Sequence, residues 1–213
     1  MKKLIWILVL QLPTVLYAQR TLASLWAEVG VPTGEFRQNT EAFGLGMGGG
    51  AYFSFDANHM FYLGGELSFD IYGKHIEDDG FYEIITNNNM FQLHGVIRIK
   101  PPSDGIVPYI DGMYGFKYIY TVSKLKENIA QNAIARDLDF QDVALSYGGA
   151  VGLYVPIGDA VAFDFKVQYL KGGEAEYIDA RTIREEGIDN AVNNPIESST
   201  DMFFFKVGLT FGF

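Results

Sequence analysis

Cysteine is absent from this sequence of 213 residues, and only three histidines are present. Without cysteine the chain can form no disulfide and can carry no lipid on a cysteine anchor. A zinc site built from cysteine and histidine is excluded for the same reason. After the first twenty residues, no apolar run reaches the ~20 residues that a transmembrane helix needs. The sequence therefore excludes disulfide-stapled domains, zinc fingers and helical membrane proteins.

Basic residues are also scarce, with 16 lysines and arginines against 26 aspartates and glutamates and a formal net charge of −10. Lys2 and Lys3 belong to an N-terminal segment that we expect to be removed, which leaves 14 basic residues against 26 acidic ones. The mature chain then carries a net charge near −12. Nucleic-acid binding needs a basic patch, so this charge excludes a nucleic-acid partner.

The N-terminal segment has the three parts of a secretory signal. Two lysines at positions 2 and 3 precede an apolar run over 4–16, and the small residue Ala18 follows. The apolar run is too short to span a bilayer, and its length and flanks are those of a cleaved signal peptide. We predict that residues 1–18 are removed and that 19–213 form a single domain.

The end of the chain alternates strictly between large apolar residues and residues that are mostly small or polar. The apolar set is Phe203, Phe205, Val207, Leu209, Phe211 and Phe213. A period of two places these residues on one face of a β-strand. A soluble protein rarely leaves such a strand exposed as an edge, whereas a closed membrane barrel uses one to seal itself, with the apolar face toward lipid.

Seven earlier segments show the same alternation. They cover 23–29, 43–55, 61–71, 91–99, 107–121, 143–153 and 161–169. Short turns at 56–59, 100–105 and 156–159 alternate with longer polar connections at 33–41, 73–88, 122–140 and 171–200. Outer-membrane barrels have short periplasmic turns and long external loops. The pattern predicts an all-β protein, an eight-stranded antiparallel up-and-down transmembrane β-barrel. A weak helical stripe of Leu125, Ile129 and Ala133 marks one loop.

This arrangement resembles the small eight-stranded bacterial outer-membrane barrels of the OmpA and OmpX type, without a periplasmic domain. The resemblance rests on the strand pattern and the closing strand that ends in Phe213, and no functional residue is carried over from it. It implies a bacterial outer membrane, contact with lipid and lipopolysaccharide, and a closing strand read by the barrel-assembly machinery. It also implies extracellular loops and periplasmic termini.

Charges of both signs occupy the inward positions of the predicted strands. Those assigned to a lumen cluster are Glu28, Glu66, His94, Arg98, Asp164, Lys166 and Lys206. Side chains just fill the interior of an eight-stranded barrel, and isolated buried charges are very costly. We therefore expect a salt-bridged plug, with Glu28 and Lys206 within ion-pair distance on the first and last strands. The alternative is a gated proton or ion path.

No catalytic, cofactor-binding or metal site is predicted. The glycine run at 44–50 resembles a phosphate loop, but no helix follows it and no Lys-Ser/Thr pair closes it. His75 lies near Asp78 and Asp79, with no serine at a useful spacing for a nucleophile. A structural or interaction barrel is favoured, such as an envelope-stabilising protein or an accessory subunit of an outer-membrane complex. A narrow channel or, less favoured, a lipid-modifying enzyme is the alternative.

The longest predicted connection, 171–200, mixes acidic residues with large apolar ones. The apolar ones are Tyr177, Ile178, Ile183, Ile188, Val192 and Ile196. A purely solvated loop has little use for so many apolar side chains. They either fold the loop onto itself and its neighbours, or form an exposed patch that an outer-membrane protein partner or a surface ligand covers.

Overall fold

The computed structural model describes residues 21–40, 42–78, 82–103, 105–127, 133–177 and 195–212, with the backbone alone in parts of the external hairpins. The predicted signal peptide, residues 1–18, and the terminal Phe213 lie outside the described residues.

The described residues contain ten strands and one short helix. They are β1 Thr21–Pro32, α1 Gly34–Asn39, β2 Gly44–Ser54, β3 Phe61–Asp78, β4 Tyr82–Ile99, β5 Val107–Glu127, β6 Ala133–Pro156, β7 Val161–Gly172, β8 Glu174–Tyr177, β9 Ile196–Ser199 and β10 Met202–Gly212. Eight strands close into an antiparallel barrel in the order β1-β10-β7-β6-β5-β4-β3-β2, while β8 and β9 form a separate two-stranded sheet. The predicted fold class is confirmed. No helix in this part of the chain is long and apolar enough to cross a membrane.

The first and last barrel strands close the sheet. β1 pairs with β10 from Leu22 opposite Gly212 to Pro32 opposite Met202, and this register sets Glu28 directly opposite Lys206. Side chains alternate between the two faces along every barrel strand. On the exterior, Met47 is 69% exposed, and in the lumen Arg98 is fully buried. The barrel is therefore apolar outside and charged inside, the reverse of a soluble protein.

Two of the predicted loops are wrong. Most of 73–88 and 122–140 continues β3, β4, β5 and β6 as long hairpins rather than leaving the sheet. The apolar–polar alternation that marks the barrel strands does not continue through these two segments, so the sequence pattern gives no strand signal there. The helical stripe is also wrong, because Leu125 lies in β5 and Ala133 in β6. Ile129 lies outside the described residues.

The extended hairpins form a sheet above the barrel rim. Pairing of β2 with β3 reaches outward only to Leu45 opposite Ile71, and pairing of β6 with β7 only to Ser146 opposite Gly172. β4 and β5 stay paired up to Tyr82 opposite Glu127. We call this four-stranded extension the external sheet. It comprises 73–78, 82–88, 121–127 and 133–140.

The other two long connections carry structure of their own. The predicted polar loop at 33–41 contains α1, which begins at Gly34 in the left-handed region with φ of +59°. The described ends of the 171–200 connection form the β8–β9 sheet, paired from Glu174 opposite Ser199 to Tyr177 opposite Ile196. Both elements lie at the end of the barrel that carries the long hairpins. Following the sequence prediction, we label this end external and the opposite end periplasmic.

Candidate functional site

Six charged side chains from six strands meet in the lumen. This ion cluster consists of Glu28, Glu66, Arg98, Asp111, Lys166 and Lys206. Each is at most 4% exposed, and each stands at an inward position of its strand. Three cations face three carboxylates, so the cluster is electrically balanced as ionised groups.

One half of the ion cluster centres on Glu66. Lys206 Nζ lies 3.1 Å from Glu28 Oε2 and 3.3 Å from Glu66 Oε2. Lys166 contacts the other oxygen, Glu66 Oε1. The structure thus brings together Glu28, Glu66, Lys166 and Lys206, which the sequence analysis had assigned to one cluster. Glu28 and Lys206 come from the neighbouring strands β1 and β10. Glu66 of β3 meets Lys166 and Lys206 from strands that are not its neighbours, so these two ion pairs cross the lumen.

The other half centres on Arg98. Its Nε and Nη2 donate to Asp111 Oδ1 and Oδ2, both at 2.7 Å, in a bidentate pair. The guanidinium lies 3.8 Å from the ring centroid of Tyr52 and 4.0 Å from that of Tyr109, and it also contacts the hydroxyl of Tyr154. Bidentate pairing and stacking on aromatic faces are the two contacts that a guanidinium makes best. Arg98 is therefore held rigidly across the lumen.

Asp111 and the tyrosines around Arg98 were left out of the predicted cluster. Asp111 sits opposite Arg98 in the β4–β5 register, and Lys166 Nζ also reaches its Oδ2 at 3.4 Å. The inward position of Asp111 is visible in the alternation of its strand. Its role as the partner of Arg98 depends on register, and the sequence pattern carries no signal for that.

Two predicted members make no ion pair among the described residues. Asp164 accepts hydrogen bonds from the Tyr109 hydroxyl at 2.6 Å and from Thr210 Oγ1 at 3.1 Å. His94 is buried, and its Nε2 has no hydrogen-bond partner. Hydroxyl donors therefore replace a cation at Asp164, near the periplasmic end of the lumen.

Three buried aromatic rings, which we call the aromatic cap, pack together at the external end of the barrel. Phe36 of α1 lies 5.5 Å from the ring of Tyr72 and 5.1 Å from the ring of Tyr177, and all three side chains are at most 1% exposed. Beneath them Lys117 Nζ donates to the carbonyl oxygen of Thr200 at 2.5 Å. The cap and this bond add buried contacts at this end of the lumen.

The aromatic cap includes a residue of the 171–200 connection, the segment that the sequence analysis considers as a partner contact. Tyr177 is fully buried against Phe36, and Ile196 is half-buried. Ile178, Ile183, Ile188 and Val192 lie outside the described residues. For Tyr177 the first alternative holds, since its side chain packs against Phe36 of α1.

The closing strand presents its apolar set outward. Phe203, Phe205 and Val207 are exposed on the exterior of β10, which pairs with β1 on one side and β7 on the other. Leu209 and Phe211 continue the same face at the periplasmic end and are partly exposed. This face needs an apolar solvent, because water would contact every one of these side chains.

The turn between β2 and β3 is tied by one carboxylate. Asp56 accepts the backbone N–H of Phe61 at 2.8 Å, Met60 at 3.0 Å and Asn58 at 3.2 Å. Desolvation opposes the shift, but these backbone hydrogen bonds together outweigh it and hold the pKa of Asp56 below its usual value. His59 Nδ1 lies 3.0 Å from Ser54 Oγ in the same turn. Because Ser54 is buried, this contact orders the turn rather than forming a nucleophile open to substrate.

Nothing in the described part of the chain forms a metal centre, since no group of three or more histidine, aspartate or glutamate side chains is placed to hold an ion. The lumen chemistry consists of ion pairs and hydrogen bonds. Such an arrangement fills and stiffens the barrel interior.

No protein-family model matches the chain, and no curated protein sequence matches it. Among solved structures it is similar to Ail, the attachment invasion locus protein of Yersinia pestis, in complex with the heparin analogue sucrose octasulfate. The two share 10% sequence identity with a TM-score of 0.52, over 92% of this chain and 99% of Ail. This protein has the fold of the small eight-stranded outer-membrane β-barrels.

Two further solved barrels are similar at lower scores. A major outer membrane protein from Thermus thermophilus has 13% identity and a TM-score of 0.48, over 91% of this chain and 99% of the other. Neisserial surface protein A has 8% identity and a TM-score of 0.46, over 92% and 97%. At these identities the similarity concerns the fold alone.

Proposed function

We propose that this protein is an integral barrel of the bacterial outer membrane that does not conduct, and that it serves as a rigid base for the external sheet. In this role it is a structural or interaction protein of the envelope, either alone or as an accessory subunit of a larger complex. The observation that carries the proposal is the ion cluster, which fills the lumen with six buried and mutually paired charges.

A conducting path would have to break this cluster. Removing one partner from a buried ion pair leaves an uncompensated charge, at a cost of about 3–5 kcal/mol. Arg98 is the largest obstacle to an ion passing through the lumen, because its guanidinium is stacked between Tyr52 and Tyr109 as well as paired with Asp111. The external cap adds a second barrier. Both features support a plug rather than a pore.

The membrane assignment is supported by the outer surface. Large apolar side chains such as Leu25, Met47 and Tyr114 are 64–69% exposed on the barrel exterior, and a continuous apolar belt of this kind requires hydrocarbon. The predicted signal peptide, the closing strand for the assembly machinery, and external loops opposite periplasmic termini complete the proposal. Lipid and lipopolysaccharide would then be the surroundings of the belt.

The external sheet provides a strand edge that a partner protein can bind. Beyond Ile71 no described strand pairs with β3 on the side that β2 has left. On the opposite edge, the N–H of Gly173 donates to Leu145 O at 2.7 Å and that of Glu176 to Asp142 Oδ2 at 2.8 Å, so part of β6 is covered. An open strand edge offers backbone donors and acceptors to an added strand. The β3 edge is therefore the proposed contact for an outer-membrane or surface protein partner.

Planar-bilayer recording tests the plug. Purified protein should produce no discrete current steps, while a general porin prepared in the same detergent serves as the positive control. Reproducible steps from the wild-type barrel would overturn the non-conducting assignment. If wild type is silent, an Arg98→Ala/Asp111→Ala variant serves as the insertion control. Removing these two side chains opens the lumen, so this variant should conduct when it is correctly inserted.

Replacing one external connection at a time with a short turn tests the interaction role. Replacing 73–88 with a short glycine-containing turn removes the β3 edge with the outer ends of β3 and β4, but it keeps their barrel segments 61–71 and 91–99. Replacing 178–194 in the same way is the matched control, because it leaves that edge in place. Loss of a native cross-linked partner only in the first variant supports the proposal. The same cross-linked partners in both variants and in wild type would contradict it.

A further inference from the structure

A glycine in the barrel wall separates two buried carboxyl groups. Gly46 stands opposite Glu28 in the β1–β2 register and opposite Asp70 in the β2–β3 register. The two acidic side chains therefore point inward from strands on either side of one residue that has no side chain. An ideal Cβ built on Gly46 would overlap the Asp70 carboxyl group, with Asp70 Cγ only 2.7 Å away. The carboxyl of Asp70 thus occupies the space that the glycine leaves.

Each carboxyl group has one satisfied oxygen and one oxygen without a donor. Glu28 Oε2 accepts the indole N–H of Trp26 at 2.9 Å and lies 3.1 Å from Lys206 Nζ. Asp70 Oδ2 accepts Gln92 Nε2 at 2.7 Å. Glu28 Oε1 and Asp70 Oδ1 are buried and find no donor. The two carboxyl groups flank the same residue of β2, and the charge of Glu28 acts on Asp70.

The charges around the pair do not supply the missing donor. Asp70 forms no ion pair within 4.0 Å among the described side chains, and the three cations of the ion cluster are already matched by Glu28, Glu66 and Asp111. The titratable groups that act on this region are Lys206, Lys117, Glu66 and His94. Lys206 binds Glu28 and Glu66, and Lys117 donates to the Thr200 carbonyl.

We propose that Glu28 and Asp70 bind one proton between them, held between Oε1 and Oδ1 across Gly46. Ionised carboxylates only accept hydrogen bonds, so two of them can meet only when one carries a proton and donates. Two like charges in one buried site also disfavour double ionisation, as in carboxylate dyads of enzymes. The ligand of this site is the proton, and the pair adds a single negative charge to the lumen.

The shared proton has a structural consequence. Its loss would place a second negative charge beside Glu28, where Lys206 already holds both Glu28 and Glu66. Lys206 would then be drawn between three carboxylates, and the balance of the ion cluster would be lost. The pair therefore acts as a proton-dependent lock on the lumen plug, which weakens as the pH rises.

Infrared spectroscopy of the folded barrel detects the proton directly. At pH 7 the wild-type protein should show a C=O stretching band of a protonated carboxyl group. The band should disappear in Asp70→Asn and in Glu28→Gln, because an amide then donates to the remaining carboxylate. Asp164→Asn is the matched control and should keep the band, since Asp164 already accepts two hydroxyl donors. If a variant fails to assemble, ¹³C-labelling of aspartate and glutamate in wild type assigns the band instead.

Absence of a protonated-carboxyl band from wild type at pH 7 would overturn the proposal, as would a band that survives both substitutions or does not shift on labelling. A second measurement is the pH dependence of unfolding in urea. While the folded state binds one proton more than the unfolded state, the folding equilibrium constant should fall by up to about tenfold per pH unit. Asp70→Asn should lack this component, so the ratio of the two constants should change with pH. A constant ratio from pH 5 to 9 would contradict the shared proton.

Discussion

The outer wall and the lumen of this barrel are built from the same strands but obey different rules. Outward side chains such as Leu25 and Met47 need only be apolar, because lipid accepts any of them. Inward side chains such as Arg98 and Lys206 each need a particular partner from another strand. The difference teaches that the wall tolerates exchange within a residue class, whereas the lumen depends on pairs.

The largest effect is expected from breaking a pair in the lumen. Arg98→Met leaves Asp111 buried without its bidentate partner, so the free energy of unfolding should fall by about 3–5 kcal/mol. The double variant Arg98→Met/Asp111→Leu removes both charges and should recover most of the loss. Urea unfolding of barrels refolded into lipid vesicles measures both values. Equal stability of the single and double variants would show that the pair has no special role.

The second-largest loss in the free energy of unfolding is expected from placing a charge on the outer wall. Phe165 is 44% exposed on the exterior of β7. Phe165→Arg near the middle of the belt should cost about 2–4 kcal/mol, and Phe43→Arg at the external end only about 0–1 kcal/mol. Phe165→Leu keeps the side chain apolar and serves as the control in the same unfolding assay. A cost independent of depth would argue that this surface does not face a bilayer.

Two glycines allow the lumen and the outer wall to be compared without changing any charge. In the lumen, a Cβ at Gly46 would collide with the Asp70 carboxyl and with Phe69 O, whereas a Cβ at Gly112 on the outer wall meets nothing within 4 Å. Gly46→Ala should therefore destabilise by about 1–3 kcal/mol through overpacking, and Gly112→Ala should change the free energy of unfolding little. A similar loss at both sites would point to strand entropy or twist rather than to space.

The smallest effect is expected at the periplasmic turn, outside both regions. The backbone N–H groups of Phe61, Met60 and Asn58 hold the pKa of Asp56 below its usual value, so ionised Asp56 favours the folded state. This contribution is present above the unfolded-state pKa and is lost as the pH falls through the lower folded-state pKa. Wild type should unfold at a slightly higher urea concentration than Asp56→Asn at pH 7, and the difference should vanish in strong acid. A difference that persists there would reflect turn geometry rather than charge.

The wall is the part that sequence reasoning could predict. Alternation along 161–169 and 202–212 assigns every outward residue correctly, because side-chain direction in a strand follows from a period of two. The same reasoning missed the external sheet, since the sequence of 73–88 and 122–140 lacks the alternation on which the strand predictions rest. It also assigned no ion-pair partner to Asp111, and it placed Asp164 among ion pairs when it accepts hydroxyl groups.

Local pattern by itself determined that the chain is an eight-stranded barrel, which side chains face outward, and that charges of both signs enter the lumen. Closure of the first strand on the last also predicts that Glu28 meets Lys206, as it does. Only the tertiary structure decided which of the other charges meet. Arg98 faces Asp111 through the register of neighbouring strands, while Lys166 reaches Glu66 from across the lumen. Register and stagger of a closed sheet are set by all eight strands together. A contact across the lumen is therefore a property of the whole barrel, and no single strand encodes it.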